Sequence, residues 1–121
     1  MVRTFLKSKI HRAALTQTEL AYEGSITLDP ELMTAADIKT YEKVQVLNLN
    51  NGARFETYVI RGKAGSGQIC LNGPAARLGQ VGDTVIVVSY VQLAEDEQDA
   101  HVPVVVLVDG KNKVKSVERQ E

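Results

Sequence analysis

Between Lys43 and Ile60 apolar residues recur at every second position on both sides of an Asn-Gly pair. Val44, Val46 and Leu47-Asn48-Leu49 lead into Asn51-Gly52, and Phe55 with Thr57 to Ile60 leads out. A period of two sends alternate side chains to opposite faces of a strand. Asn and Gly both tolerate the positive φ of a type I′ turn, so the stretch is predicted to be a β-hairpin. Further strands are expected at Thr4-Phe5-Leu6, Ile10-His11-Arg12-Ala13, Gln68 to Leu71 and Pro103 to Val108. The β-branched run Val85 to Val91 is the expected central strand. Helical signals are few. Asp29 is an N-cap, Pro30 takes the first helical position, and Glu31 suits the positive end of the dipole. Leu32, Met33, Ala36 and Ile38 then cover one face until the pattern stops near Thr40. Pro74 opens a single helical turn through Leu78.

The connections are read as Gly62 to Gly67, flexible, Glu95 to Asp99, a solvated acidic loop or helix turn, and Asp109-Gly110, a turn. The polar tail after Lys111 is expected to be loose. Many short strands with two short helices predict a mainly β fold closed into a barrel. The 121 residues fit a single domain, 1–121, with a real core. Fourteen basic against fifteen acidic residues leave a net charge of −1, with no basic excess to attract nucleic acid. The longest apolar runs, Val85 to Val88 and Val104 to Val108, are too short to span a bilayer, and the start of the chain does not read as a signal peptide. Cys70 is the only cysteine, and between Ile69 and Leu71 it reads as a buried thiol. These features point to a cytoplasmic protein.

Candidate chemistry is sparse by motif. Gly62-Lys63-Ala64-Gly65-Ser66-Gly67 lacks the Walker order, and the two histidines and one cysteine have no metal-ligand spacing, so no metal is expected. Ser25, His11 and Asp37 lack the Gly-x-Ser-x-Gly elbow of a hydrolase. Tyr22-Glu23-Gly24-Ser25-Ile26 is by composition an ordinary loop, with Leu20, Tyr22 and Ile26 as its apolar anchors. Its company is more specific. Lys9-Ile10-His11-Arg12 precedes it, and Asn51-Gly52-Ala53-Arg54, Thr57-Tyr58 and Asn72-Gly73 follow. In this order and spacing the chain resembles aspartate 1-decarboxylase, a pyruvoyl-dependent family that makes β-alanine for pantothenate synthesis. The match runs from Arg3-Thr4 through Pro103, and Val81-Gly82-Asp83 is similar to the Gly-Asp turn of such barrels.

The resemblance implies a double-psi β-barrel with short helices, and a homotetramer with active sites between neighbouring subunits. It implies that Ser25 attacks the Gly24 carbonyl, cutting the chain into residues 1–24 and 25–121 and becoming a pyruvoyl group. That covalent group is the only cofactor implied, and it would form a Schiff base with the substrate amine. No side chain offers such an electron sink. Gly24 suits the cut because it lacks a Cβ. The resemblance further implies Tyr58 as the proton donor. Thr57 would hold the Gly24 carbonyl during the cut and later contact substrate. Lys9 and Arg54 would bind the carboxylates of L-aspartate. Asn72, Gly73, Pro74 and Ala75 would line the substrate pocket, with His11 and Tyr22 as walls. A maturation factor is an expected partner if cleavage needs help. One departure stands out: the family commonly has alanine at position 74, and Pro74 has no backbone N–H to offer a substrate. The competing expectation is a non-catalytic β-barrel serving as a binding or regulatory module. The joint presence of Lys9, Arg54 and Tyr58 speaks against it.

Overall fold

A computed structural model of the chain describes residues 1–120. Its strands are β1 (Arg3–Ala14), β2 (Gln17–Glu19), β3 (Ser25–Leu28), β4 (Lys43–Asn48), β5 (Arg54–Arg61), β6 (Ile69–Asn72), β7 (Thr84–Leu93), β8 (Val104–Val108) and β9 (Val114–Arg119). Two short helices, α1 (Pro30–Ala36) and α2 (Glu95–Gln98), and a 3-10 turn at Gly73–Leu78 complete it. The mainly β expectation holds. The strands form one sheet in the order β2-β6-β3-β5-β4-β7-β1-β8-β9.

That sheet is rolled. β1 and β2 stand far apart in the pairing order, yet only Leu15 and Thr16 separate them along the chain. The sheet must therefore curl until its distant strands meet. Leu15 donates to and accepts from the Gly82-Asp83 turn, both at 2.8 Å, and Thr16 bonds Ile69 through its backbone and hydroxyl. Inside the roll, Ile10, Leu28, Val46, Val59, Leu71 and Val87 from six strands share one core, each wholly buried. β2 and β9 remain the two ends of the pairing order, so among the described residues no ladder closes the ring. The arrangement is consistent with a double-psi barrel.

Local expectations hold where the chemistry is local. Asp29 caps α1, accepting from the Glu31 amide at 2.9 Å, and Leu32, Met33, Ala36 and Ile38 are buried. β7 is central, between β1 and β4. The β4–β5 hairpin forms, but its turn is not type I′. Gly52 alone takes positive φ, at 76°, and Asn51 does not. Asn48 and Asn51 use their side chains on Asn50 N and Ala53 N instead, which builds a longer loop.

Three further expectations are corrected. Gly62 to Gly67 is not a flexible connection: the Gly65 and Gly67 amides donate to the Asp29 carboxylate at 3.0 and 2.8 Å. The tail is not loose, because Val114–Arg119 pairs antiparallel with β8. Leu20 and Tyr22 are not anchors. Each is 62% exposed, and only Ile26 is buried.

Candidate active site

Ser25 opens β3, which runs parallel to β5 on one side and antiparallel to β6 on the other. Its side chain is on the face away from the core, since Ile26 beside it points inward, yet it is only 2% exposed. The cover comes from Asn72, its partner in the β6 ladder. Asn72 is wholly buried, and its Nδ2 donates to Ser25 Oγ at 3.0 Å and to Thr27 Oγ1 at 2.8 Å. Its Oδ1 accepts from Cys70 Sγ at 3.2 Å. Burial, with the charge of Glu19 second, pushes the Cys70 thiol up, so it stays protonated and able to donate. The Ser25 hydroxyl in turn donates to the Glu23 carbonyl at 3.2 Å. The hydroxyl proton and one lone pair are thus engaged, and the second lone pair remains for bond formation.

The chain just before Ser25 lies against the 3-10 turn. Gly73 has φ of 61°, and a Cβ there would stand 2.5 Å from Tyr22 O, 2.7 Å from Gly24 N and 2.9 Å from Glu23 C. Only glycine allows so close an approach of two backbones. The Pro74 ring reaches the other side, 3.3 Å from where a Gly24 Cβ would be. Ala75, next in the turn, is buried. On β5, the parallel register pairs Ile26 with Val59. Ser25 and Tyr58 each come one residue before that pair, and Thr57 precedes Tyr58 on β5. The Thr57 and Tyr58 side chains are half-buried, and neither hydrogen-bonds Ser25 among the described residues.

Lys9, His11 and Arg54 make no hydrogen bond to Ser25 among the described residues. Lys9 pairs with Val88, Val88 with Gln45 and Gln45 with Glu56, so Lys9 lies three strand spacings from β5, about 14 Å along the sheet. Arg54 precedes Tyr58 by four residues, about 13 Å along β5. It is exposed in a cleft of about 580 Å³ that Thr4, Lys43, Gln45, Glu56 and Tyr90 also line. Gln45 Oε1 accepts from Arg54 Nη2 at 3.1 Å and from Tyr90 Oη at 2.7 Å. His11 sits in a bulge of β1, where it and Arg12 together face Ile86. Its Nδ1 is buried without a hydrogen-bond partner among the described residues. Burial first, then the charges of Lys9 and Arg12, holds its pKa below the usual 6.5, so the ring is neutral at pH 7. Tyr22 contributes its carbonyl to the Gly73 contact while its ring is exposed.

Sequence reasoning missed the supporting residues. Cys70 and Thr27 share the outward face of β6 and β3 with Asn72 and Ser25, which alternation could have shown once the strands were paired. Gln45 and Tyr90 hold Arg54 only because β7 lies beside β4, a neighbour relation absent from the sequence.

These features can be set against known proteins. An aspartate 1-decarboxylase of Pelotomaculum thermopropionicum is 60% identical over 121 residues, covering 100% of this chain and 92% of its own length. One of Neisseria meningitidis serogroup C is 60% identical over 117 residues, 97% of this chain and 92% of that protein. One of Caldicellulosiruptor saccharolyticus is 57% identical over 121 residues, 100% of this chain and 94% of that protein. The model of the aspartate decarboxylase family matches residues 1–115. With a buried serine held by Asn72 at the head of β3 and near-complete coverage of this kind, the chain belongs to the aspartate decarboxylase family.

Proposed function

We propose that this enzyme makes its own catalytic group from Ser25 and with it removes CO2 from L-aspartate, leaving β-alanine. Decarboxylation of aspartate is the activity of the family to which it belongs, so the chain is a carboxy-lyase, serving pantothenate synthesis. The single observation that carries the proposal is the buried Asn72–Ser25 hydrogen bond, which fixes the nucleophile beside the Gly24–Ser25 peptide. Ser25 Oγ attacks the Gly24 carbonyl carbon, the peptide C–N bond breaks and an ester forms. Thr57, next to Tyr58 on β5, steadies the carbonyl oxygen as it gains charge. Elimination then breaks the Cβ–O bond of residue 25, releasing residues 1–24 with a free carboxylate and leaving a dehydroalanine at the new end of residues 25–121; its imine form takes up water and loses ammonia, which leaves a pyruvoyl group.

The site suits that group. Position 25 is enclosed, and Asn72 presents N–H donors to it rather than acceptors. When present, the pyruvoyl group supplies the electron sink that decarboxylation requires. The chain's own residues do the rest. Arg54 grips one substrate carboxylate with two parallel hydrogen bonds, and Lys9 adds a compact positive charge. Tyr58 Oη delivers the proton that replaces the departed carboxyl on the α-carbon. Asn72, Gly73, Pro74 and Ala75 shape the pocket, and His11 and Tyr22 border it.

Along the sheet of one chain, Lys9 lies three strand spacings from β5 and Arg54 four residues before Tyr58, and neither hydrogen-bonds Ser25 among the described residues. A homotetramer in which one subunit lends Lys9 and Arg54 to its neighbour's Ser25 supplies them. A buried, unpaired Cys70 fits a cytoplasmic setting, and no helix among the described residues is long and apolar enough to cross a membrane. Intact mass of the purified protein is the test. Two species are expected, one ending at Gly24 and one beginning with a pyruvoyl group at position 25, and Ser25→Ala should yield neither the cut nor β-alanine. A cleaved, active Ser25→Ala protein refutes the mechanism.

A further inference from the structure

We propose that Tyr41 is a positioning residue for Tyr58, kept in a strained backbone because its ring must stand against the phenol that gives up the proton. This rests on the assignment of Tyr58 above. Tyr41 has φ of 72°, in the left-handed region where a bulky side chain is an outlier. The other non-glycine residues with positive φ have local reasons for it. Arg12 lies in the β1 bulge, Asp37 caps α1, and Asn112 uses its side chain on Ala14 O and Gly67 O. The Tyr41 side chain makes no hydrogen bond among the described residues and is 75% exposed, so neither bonding nor burial offsets its strain.

The surroundings impose it instead. Tyr41 N donates to Val59 O at 2.7 Å, and Val59 N donates to Glu42 O at 3.0 Å. The Glu42 carboxylate accepts from Lys39 N at 3.1 Å and from Lys7 Nζ at 2.8 Å. These bonds clamp the loop between α1 and β4 onto β5 at Val59, next to Tyr58. The clamp delivers one ring to the other: the Tyr41 and Tyr58 centroids are 6.4 Å apart, with planes inclined at 44°, inside the range of aromatic pairs. Tyr58 Oη has no hydrogen bond among the described residues, so packing, the neighbouring ring included, is what holds the phenol. Strain imposed by a well-bonded frame and spent beside a reacting group is the pattern expected of a functional site.

The experiment compares Tyr41→Asn, Tyr41→Phe and Tyr58→Phe in the full, self-cleaved protein. Asparagine accepts positive φ, so Tyr41→Asn should raise the thermal midpoint, by about 2–8 °C. It should cleave itself fully and keep its KM for aspartate, while kcat falls roughly tenfold to a hundredfold as the phenol loses its place. Tyr41→Phe should retain most of kcat, because the ring and not the hydroxyl acts. The proposal is overturned if Tyr41→Asn turns over at the wild-type rate, or if its midpoint and kcat fall together as for an ordinary packing residue. A Tyr41→Phe as slow as Tyr41→Asn overturns it too, since the hydroxyl would then carry the effect. Wild-type turnover by Tyr58→Phe is a separate failure, removing Tyr58 itself as the donor.

Discussion

Replacing Gly73 by alanine should leave the chain folded and nearly unable to cut itself. The added methyl would stand 2.5 Å from Tyr22 O, 2.7 Å from Gly24 N and 2.9 Å from Glu23 C. Ordinary contacts of this kind lie near 3.5 Å, so one backbone must retreat by about 1 Å. All three atoms belong to the main chain just ahead of Ser25, so the retreat displaces the peptide to be broken. A misplacement of about 1 Å can slow a reaction by about 10²-fold. The cost to folding is smaller: at φ of 61°, alanine in the left-handed region costs about 1–2 kcal/mol, against roughly 5–15 kcal/mol for a whole domain. Gly52→Ala separates the two effects. Gly52 also has positive φ, 76°, but among the described residues beyond its two chain neighbours nothing lies within 4 Å of the added methyl. It should lose similar stability and cleave normally. The assay is a time course of intact mass, counting uncut chain against residues 1–24 and 25–121, beside a urea titration of each variant. Cleavage of Gly73→Ala at the wild-type rate, or equal slowing of both variants, refutes the reasoning.

Tyr58→Phe should cleave itself as wild type does and then form β-alanine about 10²–10⁴-fold more slowly, measured by steady-state kinetics on processed protein. Arg54→Lys should also process normally, but its KM for aspartate should rise about tenfold or more, because a lysine cannot reproduce the two-pronged grip and a hydrogen bond to a charged group contributes roughly 1.5–3 kcal/mol. Acid should weaken the fold in two windows, read by urea titration at stepped pH. His11 has a lowered pKa from burial and from Lys9 and Arg12, so the unfolded chain binds its proton better and stability falls as pH drops below about 6.5; His11→Gln should remove that slope. For Asp29 burial pushes the carboxyl up, but the amides of Glu31, Gly67 and Gly65 and the charge of Lys113 outweigh it and leave the pKa lowered. Its stabilisation is present above about pH 4 and lost as pH falls through the folded value, so Asp29→Asn should flatten the curve there.

What the sequence determined by itself was whatever depends on neighbours along the chain. The alternation around Asn51-Gly52 and the cap at Asp29 are local interactions, and both appear where the residues put them. Ser25, Tyr58 and Asn72 were picked out as candidates through the resemblance to a family. The tertiary structure decided everything that depends on which strands meet. It turned Val114–Arg119, polar and unremarkable in sequence, into an ordered edge strand by pairing it with β8. It pinned the Gly62 to Gly67 connection by bringing a buried carboxylate to its amides. It placed Asn72 against Ser25, 47 residues away, and left Lys9 and Arg54 on a different part of the sheet. It also forced Tyr41 into a conformation that its own propensity disfavours. The physical reason is the same throughout: backbone torsions and turn chemistry are encoded within a few residues, whereas register between distant strands is set by closing one common core, and side-chain contacts follow from that register.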